Sequence, residues 1–209
     1  KSLRGISFNF QGCSDDIITA ISDLPQLSSC LCSVGRSGCD LSPILGMASL
    51  KEIGIEAWPP GSTPCDGIFC GYTGAHRLLN LSMSGIAFSD EEMEPFAQLS
   101  GLSRLKVSHN PSLKGDGFEF LGRSVKDLSV RACGELRDVA ILNVAANCKL
   151  KEMWLNECPR LTDASLEALL HVPSLRFLEL DVSKGRKGRF SQTAINRLRR
   201  NKVQVRVIE

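Results

Sequence analysis

The feature of this sequence that most restricts its fold is an internal repeat of about 24 residues. One copy reads Leu150-x-x-Met153-x-Leu155-x-x-Cys158, and the next copy begins at Leu175. Eight copies begin at residues 3, 27, 50, 78, 102, 125, 150 and 175. A spacing kept over so many copies predicts stacked units, because one short unit buries its apolar side chains only against its neighbours.

Each copy is predicted to form a strand followed by a helical segment. Side chains alternate between the two faces of a strand, so the first, fourth and sixth positions are expected to face inward and the third, fifth and seventh outward. A helix is expected after the N-cap Thr162, with Leu166 on its buried side. The segment from Ser89 begins with a capping box to Glu92, although Pro95 should shorten or kink that helix.

The pattern resembles the leucine-rich repeat over essentially the whole chain, and the copies with Cys133 and Cys158 are similar to its cysteine-containing subclass. The resemblance implies an α/β fold, a leucine-rich-repeat solenoid of about eight repeats. Its expected shape is a curved right-handed horseshoe with a parallel concave β-sheet and convex helices. We expect residues 1–209 to form one such domain, and the start at Lys1 indicates a piece of a larger protein. Alternating valines at 203–207 predict a ninth, edge strand.

The positions of five cysteines predict a structural role. Cys133 and Cys158 occupy the position that Asn110 fills in an earlier copy, where a small side chain points into the turn after the strand. Cys30 and Cys32 are expected to face inward, and Cys148 to end a helix. Thiols used as small core residues are typical of a reducing compartment, so we expect an intracellular protein, cytoplasmic or nuclear.

A second group of metal-binding residue types lies in the copy that is stretched to 28 residues. Cys65 and Cys70 form a C-x4-C pair followed by His76, and Cys39 is a conceivable fourth ligand of zinc. A local disulfide is an alternative, and the loose spacing favours an ordinary loop with free thiols. We therefore predict no cofactor.

Motifs for catalysis are missing from the sequence. Of three histidines, His171 follows a helix, His109 ends a strand with no cysteine predicted to point toward it, and His76 belongs to the loop above. A nucleophilic site needs a histidine held against a serine or cysteine. Paired carboxylates lie at helix starts, where the helix dipole favours negative charge. We predict that the chain is not an enzyme.

The outward positions of the last four copies predict a protein-binding surface on the concave C-terminal half. Trp154 and Phe177 are expected to be exposed on adjacent strands, about 5–8 Å apart. An apolar anchor within a charged rim is typical of an interface hot spot. The rim consists of Arg104, Lys106, Arg131, Glu152, Glu179 and Asp181. The other interpretation is that Trp154 packs along a neighbouring strand or under a terminal cap.

The cysteine-containing repeats are common in F-box substrate receptors of ubiquitin ligases. The resemblance therefore implies substrate recognition in a ubiquitin ligase as the specific role of a non-catalytic protein-interaction module. No F-box is visible in the 209 residues.

An alternative function is binding of nucleic acid or another anionic surface by a basic C-terminal end. Nine basic residues and no acidic one lie between residues 184 and 206. Such a run attracts phosphate, although it is also typical of a solvated capping surface. Apolar runs of only a few residues predict no membrane span. The residues of this end are Lys184, Arg186, Lys187, Arg189, Arg199 and Arg200.

Overall fold

The structure, a computed structural model, describes residues 3–9, 15–34, 42–57, 63–64, 77–181 and 190–208. Over these ranges, nine strands form one open parallel sheet, and two very short strands form a separate parallel pair. The strands are β1 (Gly5–Asn9), β2 (Ser29–Val34), β3 (Glu52–Ala57), β4 (Thr63–Pro64), β5 (Asn80–Ser84), β6 (Ile86–Ala87), β7 (Arg104–Ser108), β8 (Asp127–Arg131), β9 (Glu152–Asn156), β10 (Phe177–Asp181) and β11 (Gln204–Ile208).

Strand order in the large sheet follows the order of the chain, from β1 at one edge to β11 at the other, with β4 and β6 forming the separate pair. The predicted ninth strand is confirmed, since β11 pairs in parallel with β10. Helical segments flank the sheet and connect its successive strands, except between β3 and β5, where the described residues include no helix. The fold is therefore α/β and compatible with a solenoid-like arrangement.

The helical segments of the described ranges differ in type. The α-helices are α1 (Asp15–Ser22), α2 (Ser42–Leu45), α3 (Asp138–Asn147), α4 (Asp163–Leu169) and α5 (Gln192–Arg200), whereas Glu91–Gln98 and Asp116–Phe120 are 3-10 helices. The first 3-10 helix contains Pro95, which lacks an amide hydrogen and cannot extend an α-helical hydrogen-bond ladder. The capping box before it forms in part, because the Ser89 amide donates to Glu92 Oε2 at 2.6 Å.

Burial along the strands alternates as the repeat predicts. In β9, Met153 and Leu155 are buried, whereas Trp154 is half-buried. From the second copy to the eighth, the first, fourth and sixth positions are all buried. Leu3 in the first copy is instead 50% exposed. Leu3 lies just before β1, an edge strand of the described sheet that has a strand on one side only.

A left-handed residue follows each of four consecutive strands. Gly85, His109, Ala132 and Glu157 have φ angles of 71°, 55°, 52° and 53°. In the first three, the backbone amide donates to the carbonyl oxygen of the last residue of the next strand, at 2.8–2.9 Å. This turn directs the chain out of the sheet at an equivalent point in each of these four copies. Only one of the four residues is glycine, so the sequence did not reveal the turn.

The residue after this turn is buried in the copies where the sequence predicted a small buried group. Asn110, Cys133 and Cys158 are all 0% exposed. Asn110 Oδ1 accepts a hydrogen bond from the Ser112 amide at 2.8 Å, and the Cys158 thiol donates to the Asn156 carbonyl oxygen at 3.3 Å. The predicted structural role of these positions is confirmed.

The other three cysteines with a predicted structural role are buried as well. Cys30, Cys32 and Cys148 belong to the core, and none of the five is in a disulfide. Burial raises the pKa of Cys148 to about 12, and burial together with the neighbouring Cys158 raises the pKa of Cys133 to about 12. The Cys133 and Cys148 side chains therefore remain neutral thiols at physiological pH.

Carboxylates near the starts of helical segments join one copy to the next. Asp138 accepts hydrogen bonds from the Thr162 amide at 2.8 Å, from the Thr162 hydroxyl at 2.7 Å and from the Ser165 hydroxyl at 2.5 Å. Asp90 and Asp163 likewise accept from backbone amides 24 to 28 residues downstream. Each of these carboxylates satisfies donors at the start of the next helical segment, which have no partner within their own helix.

Candidate functional site

The residues predicted to bind a partner lie on one face of four adjacent strands. We call this the open face: it carries the third, fifth and seventh positions of each copy, opposite the buried positions. Its basic side chains on β7 and β8 and Glu152 on β9 are exposed, whereas both aromatic rings and Asp181 are half-buried. The predicted set is Arg104 and Lys106 on β7, Arg131 on β8, Glu152 and Trp154 on β9, and Phe177, Glu179 and Asp181 on β10.

The two aromatic side chains contact one another across β9 and β10. The strand register places Glu179 beside Trp154 and Phe177 beside Glu152, so the two rings lie on a diagonal. Their centroids are 5.7 Å apart and their planes are tilted by 52°. The predicted distance of about 5–8 Å is thus confirmed, and the geometry is one that aromatic pairs favour. The sequence predicted that both rings are exposed; each is instead half-buried, and each ring covers part of the other.

Glu179 occupies a different environment from the exposed rim that the sequence suggested. It is only 8% exposed, and its carboxylate accepts a hydrogen bond from Asn156 Nδ2 at 3.2 Å. Arg206 on β11 forms an ion pair with it at 3.3 Å. A buried carboxylate needs such partners. Glu179 therefore holds Asn156 and Arg206 in place, beside Trp154, rather than facing solvent.

A cavity of about 380 Å³ lies on the open face between β7 and β9, and we call it the groove. Its volume is within the range of small ligand pockets. The lining includes neither histidine nor cysteine. The side chains and backbone that line it belong to Arg104, Leu105, Lys106, Asp127, Ser129, Arg131, Glu152, Trp154 and Asn156.

Two of the basic side chains in the groove have acidic partners. Arg104 pairs with Asp127 at 3.4 Å, and Arg131 pairs with Glu157 at 3.1 Å. Glu157 is the left-handed residue that follows β9. The sequence analysis missed it because its position in the template lies beyond the strand.

The open face of the first copies also has an apolar feature that the sequence analysis passed over. Leu31 on β2 is 42% exposed, and a second cavity of about 280 Å³ lies beside it. The Leu31 Cδ1 atom lies only 2.6 Å from the position that a Cβ atom on Gly54 would occupy. The absence of a side chain at Gly54 is therefore the signal in the sequence that Leu31 has room to lie across β3.

The basic C-terminal end is described only in part. Lys184, Arg186, Lys187 and Arg189 lie outside the described residues. Arg199 and Arg200 are exposed at the end of α5, and Arg199 Nη2 donates to the Val205 carbonyl oxygen at 3.3 Å. The nucleic-acid alternative stays a prediction.

The weak metal candidates Cys65, Cys70 and His76 also lie outside the described residues. Among the residues that are described, no group of three or more histidine, cysteine, aspartate or glutamate side chains is arranged to hold a metal ion. His109 and His171 are exposed. In the same described ranges, every helix is too short or too polar to cross a lipid bilayer.

The sequence fits no family model, and no curated protein matches it at a significant level.

Proposed function

We propose that this chain is a leucine-rich-repeat solenoid of about eight repeats, without catalytic activity, that binds a partner protein on its concave open face. The near-constant spacing, the repeated left-handed turn and the buried asparagine and cysteines after it support the family assignment. In such a solenoid the helices would cover one face of the sheet and leave the other for a partner.

The observation that carries the binding proposal is the Trp154–Phe177 pair at the edge of the groove. A half-buried tryptophan next to a second ring offers a rigid apolar surface that loses little conformational entropy on binding. Exposed charges of both signs lie around it, which is the composition of an interface centre with a polar rim.

We further propose substrate recognition in a ubiquitin ligase as the biological role. The support for this step is the resemblance of the copies with Cys133 and Cys158 to the repeats of F-box substrate receptors. The partner would then be a protein destined for ubiquitination.

Replacement of Trp154 by alanine tests the binding proposal. Proteins captured from a cell lysate by the wild type are identified, purified, and their Kd values are measured for both forms by titration calorimetry. A central tryptophan contributes at least about 2 kcal/mol, so we expect Trp154→Ala to weaken binding by about 30-fold or more. Loss of the ring contact costs about 1 kcal/mol in addition to the apolar area that the half-buried ring covers, so the loss of stability should stay below the roughly 3–5 kcal/mol of a fully buried aromatic side chain.

The matched control is Leu142→Ala, which removes an apolar side chain that is 50% exposed on α3. It lies on a helix instead of the open face and should leave the Kd unchanged. Equal loss of binding in both variants would contradict the proposal. A collapse of Tm in Trp154→Ala would instead place Trp154 in the core.

A further inference from the structure

Two charged side chains in the groove have no partner of opposite charge within the described residues. Lys106 and Glu152 form neither an ion pair nor a side-chain hydrogen bond there, whereas Arg104 and Arg131 are paired. Both unpaired side chains are exposed. They are therefore the charges of the groove that remain free for a ligand.

The strand register explains why these two charges are unpaired. Lys106 has a serine beside it on each neighbouring strand, Ser82 and Ser129. Glu152 has Phe177 on one side and Asp127 on the other; Phe177 is uncharged, and Asp127 has the same charge as Glu152 and itself pairs with Arg104. Neither residue has an available partner of opposite charge at its own level of the sheet.

The positions of the two charges set the size of a ligand that reaches both. Lys106 and Glu152 are two strands apart and are offset by two residues along the strands. With strands spaced by about 4.8 Å and residues by about 3.3 Å, their Cα atoms are about 12 Å apart. An extended peptide covers this distance in about three or four residues.

A third feature of the groove is a polar atom without a partner. Asn156 Oδ1 is buried and accepts no hydrogen bond, although its amide nitrogen donates to Glu179. A buried acceptor that lacks a donor costs free energy. Rotation of the Asn156 side chain would bring this oxygen to an N–H group of a bound peptide, next to the Trp154 ring.

We propose that the groove binds an extended peptide segment of a partner protein that carries one acidic and one basic side chain about three or four residues apart. The acidic side chain pairs with Lys106. The basic side chain pairs with Glu152 and lies against Trp154, since an aromatic face attracts a cation. This inference rests on the proposed function and adds the chemistry of the segment that is recognised.

Charge complementarity favours this ligand over a nucleic acid. The unpaired Glu152 lines the groove and would repel a phosphate backbone, whereas Arg104 and Arg131 are already paired with carboxylates. A peptide with charges of one sign only would leave either Lys106 or Glu152 without a partner.

The test is selection from a phage-displayed library of random dodecapeptides on the wild type, on Lys106→Glu and on Glu152→Lys. Wild type should enrich peptides with one acidic and one basic residue at the stated spacing. Lys106→Glu should select two basic residues, and Glu152→Lys two acidic residues. This readout does not depend on the direction in which the peptide lies.

Two variants away from the groove are matched controls. Lys149→Glu and Glu119→Lys make the same charge changes at exposed positions on the helical side and should select the wild-type peptides. A synthetic peptide selected on wild type should bind each groove variant at least 10-fold more weakly. Reversal of the corresponding charge in the peptide should restore its affinity.

The outcomes separate this inference from the proposed function. Selected peptides that depend on Trp154 but show the same charge pattern on all three proteins overturn the charge inference and leave the proposed function intact. If no peptide that needs Trp154 for binding is enriched, the inference is overturned. A protein partner that binds the wild type but not Trp154→Ala would still support the proposed function.

Discussion

Replacement of Asp138 by alanine should destabilise the fold more than replacement of any exposed charged residue does. This carboxylate belongs to one copy of the repeat and accepts three hydrogen bonds from the next copy. If the copies stack as cooperating units, its loss weakens the contact between two units rather than one local turn.

The magnitude follows from the donors that lose their acceptor. The Thr162 amide is a helix-start donor, and loss of a cap costs about 1 kcal/mol. The Ser165 hydroxyl is 0% exposed and cannot turn to water, so leaving it unpaired costs about 1–3 kcal/mol. The exposed Thr162 hydroxyl can donate to water instead, so the loss of its acceptor adds little to the free-energy cost. The sum is about 2–4 kcal/mol, or a Tm lower by about 4–15 °C for a chain of this size.

Urea denaturation followed by circular dichroism measures this loss against a control. Glu135→Ala removes an exposed ion pair with Arg160, and such pairs contribute at most about 1 kcal/mol. In the double variant Asp138→Ala/Ser165→Ala, no hydroxyl is left unpaired, so its loss should be about 1 kcal/mol or more below the sum of the single losses. A loss in Asp138→Ala no larger than in Glu135→Ala would refute the reasoning.

The effect should also depend on pH in a defined direction. Burial by itself raises the pKa of Asp138, but the hydrogen bonds from Ser165 and Thr162 together hold this pKa below its ordinary value of 3.8. A lowered native pKa means that the charged carboxylate stabilises the fold fully above the ordinary value, and that the contribution is lost as pH falls through the native pKa. The difference between wild type and Asp138→Ala should therefore be constant from about pH 8 to 5 and shrink below about pH 4.

Two further predictions concern the turn and the thiols. Ala132→Gly should leave the free energy of unfolding unchanged or raise it by up to about 1 kcal/mol, because a left-handed alanine is strained. The control Ala145→Gly, in the middle of α3, should lower it by about 1 kcal/mol. Equal losses of the two variants in urea denaturation would contradict the left-handed turn. Cys133 and Cys148 have pKa values raised to about 12, so they should resist alkylation by iodoacetamide at about pH 8 in the native protein and react once the protein is unfolded. Peptide mass spectrometry measures the extent of labelling. Fast labelling of either thiol in the native protein would contradict its burial.

The strand positions could be predicted from the sequence because two periodicities combine. Alternation along a strand assigns each side chain to a face, and the near-constant spacing of copies assigns its neighbour on the next strand. Together they placed Trp154 and Phe177 on a diagonal and predicted a ring distance that includes the observed 5.7 Å. They also predicted that Cys133 and Cys158 are buried.

The environment of Glu179 could not be predicted in the same way. Its outward position suggested an exposed side chain, yet two neighbours bury it. Asn156 reaches it from the adjacent strand, and Arg206 comes from β11, after a segment with no repeat template. Burial of a side chain on an outward position depends on the size and reach of its neighbours, and the template specifies only direction.

The pairing of charges in the groove could be predicted from the sequence only in part. Arg104 and Asp127 occupy the third position of adjacent copies and form an ion pair, so a comparison of equivalent positions predicts this pair from sequence. The same comparison leaves Lys106 without a partner, because the fifth positions of the neighbouring copies are serines. It fails for Arg131, whose partner Glu157 follows the strand in a left-handed turn that no glycine marks. Equivalent positions in adjacent copies thus predict charge pairing within the strands, whereas pairing at the strand ends depends on the backbone of the turn.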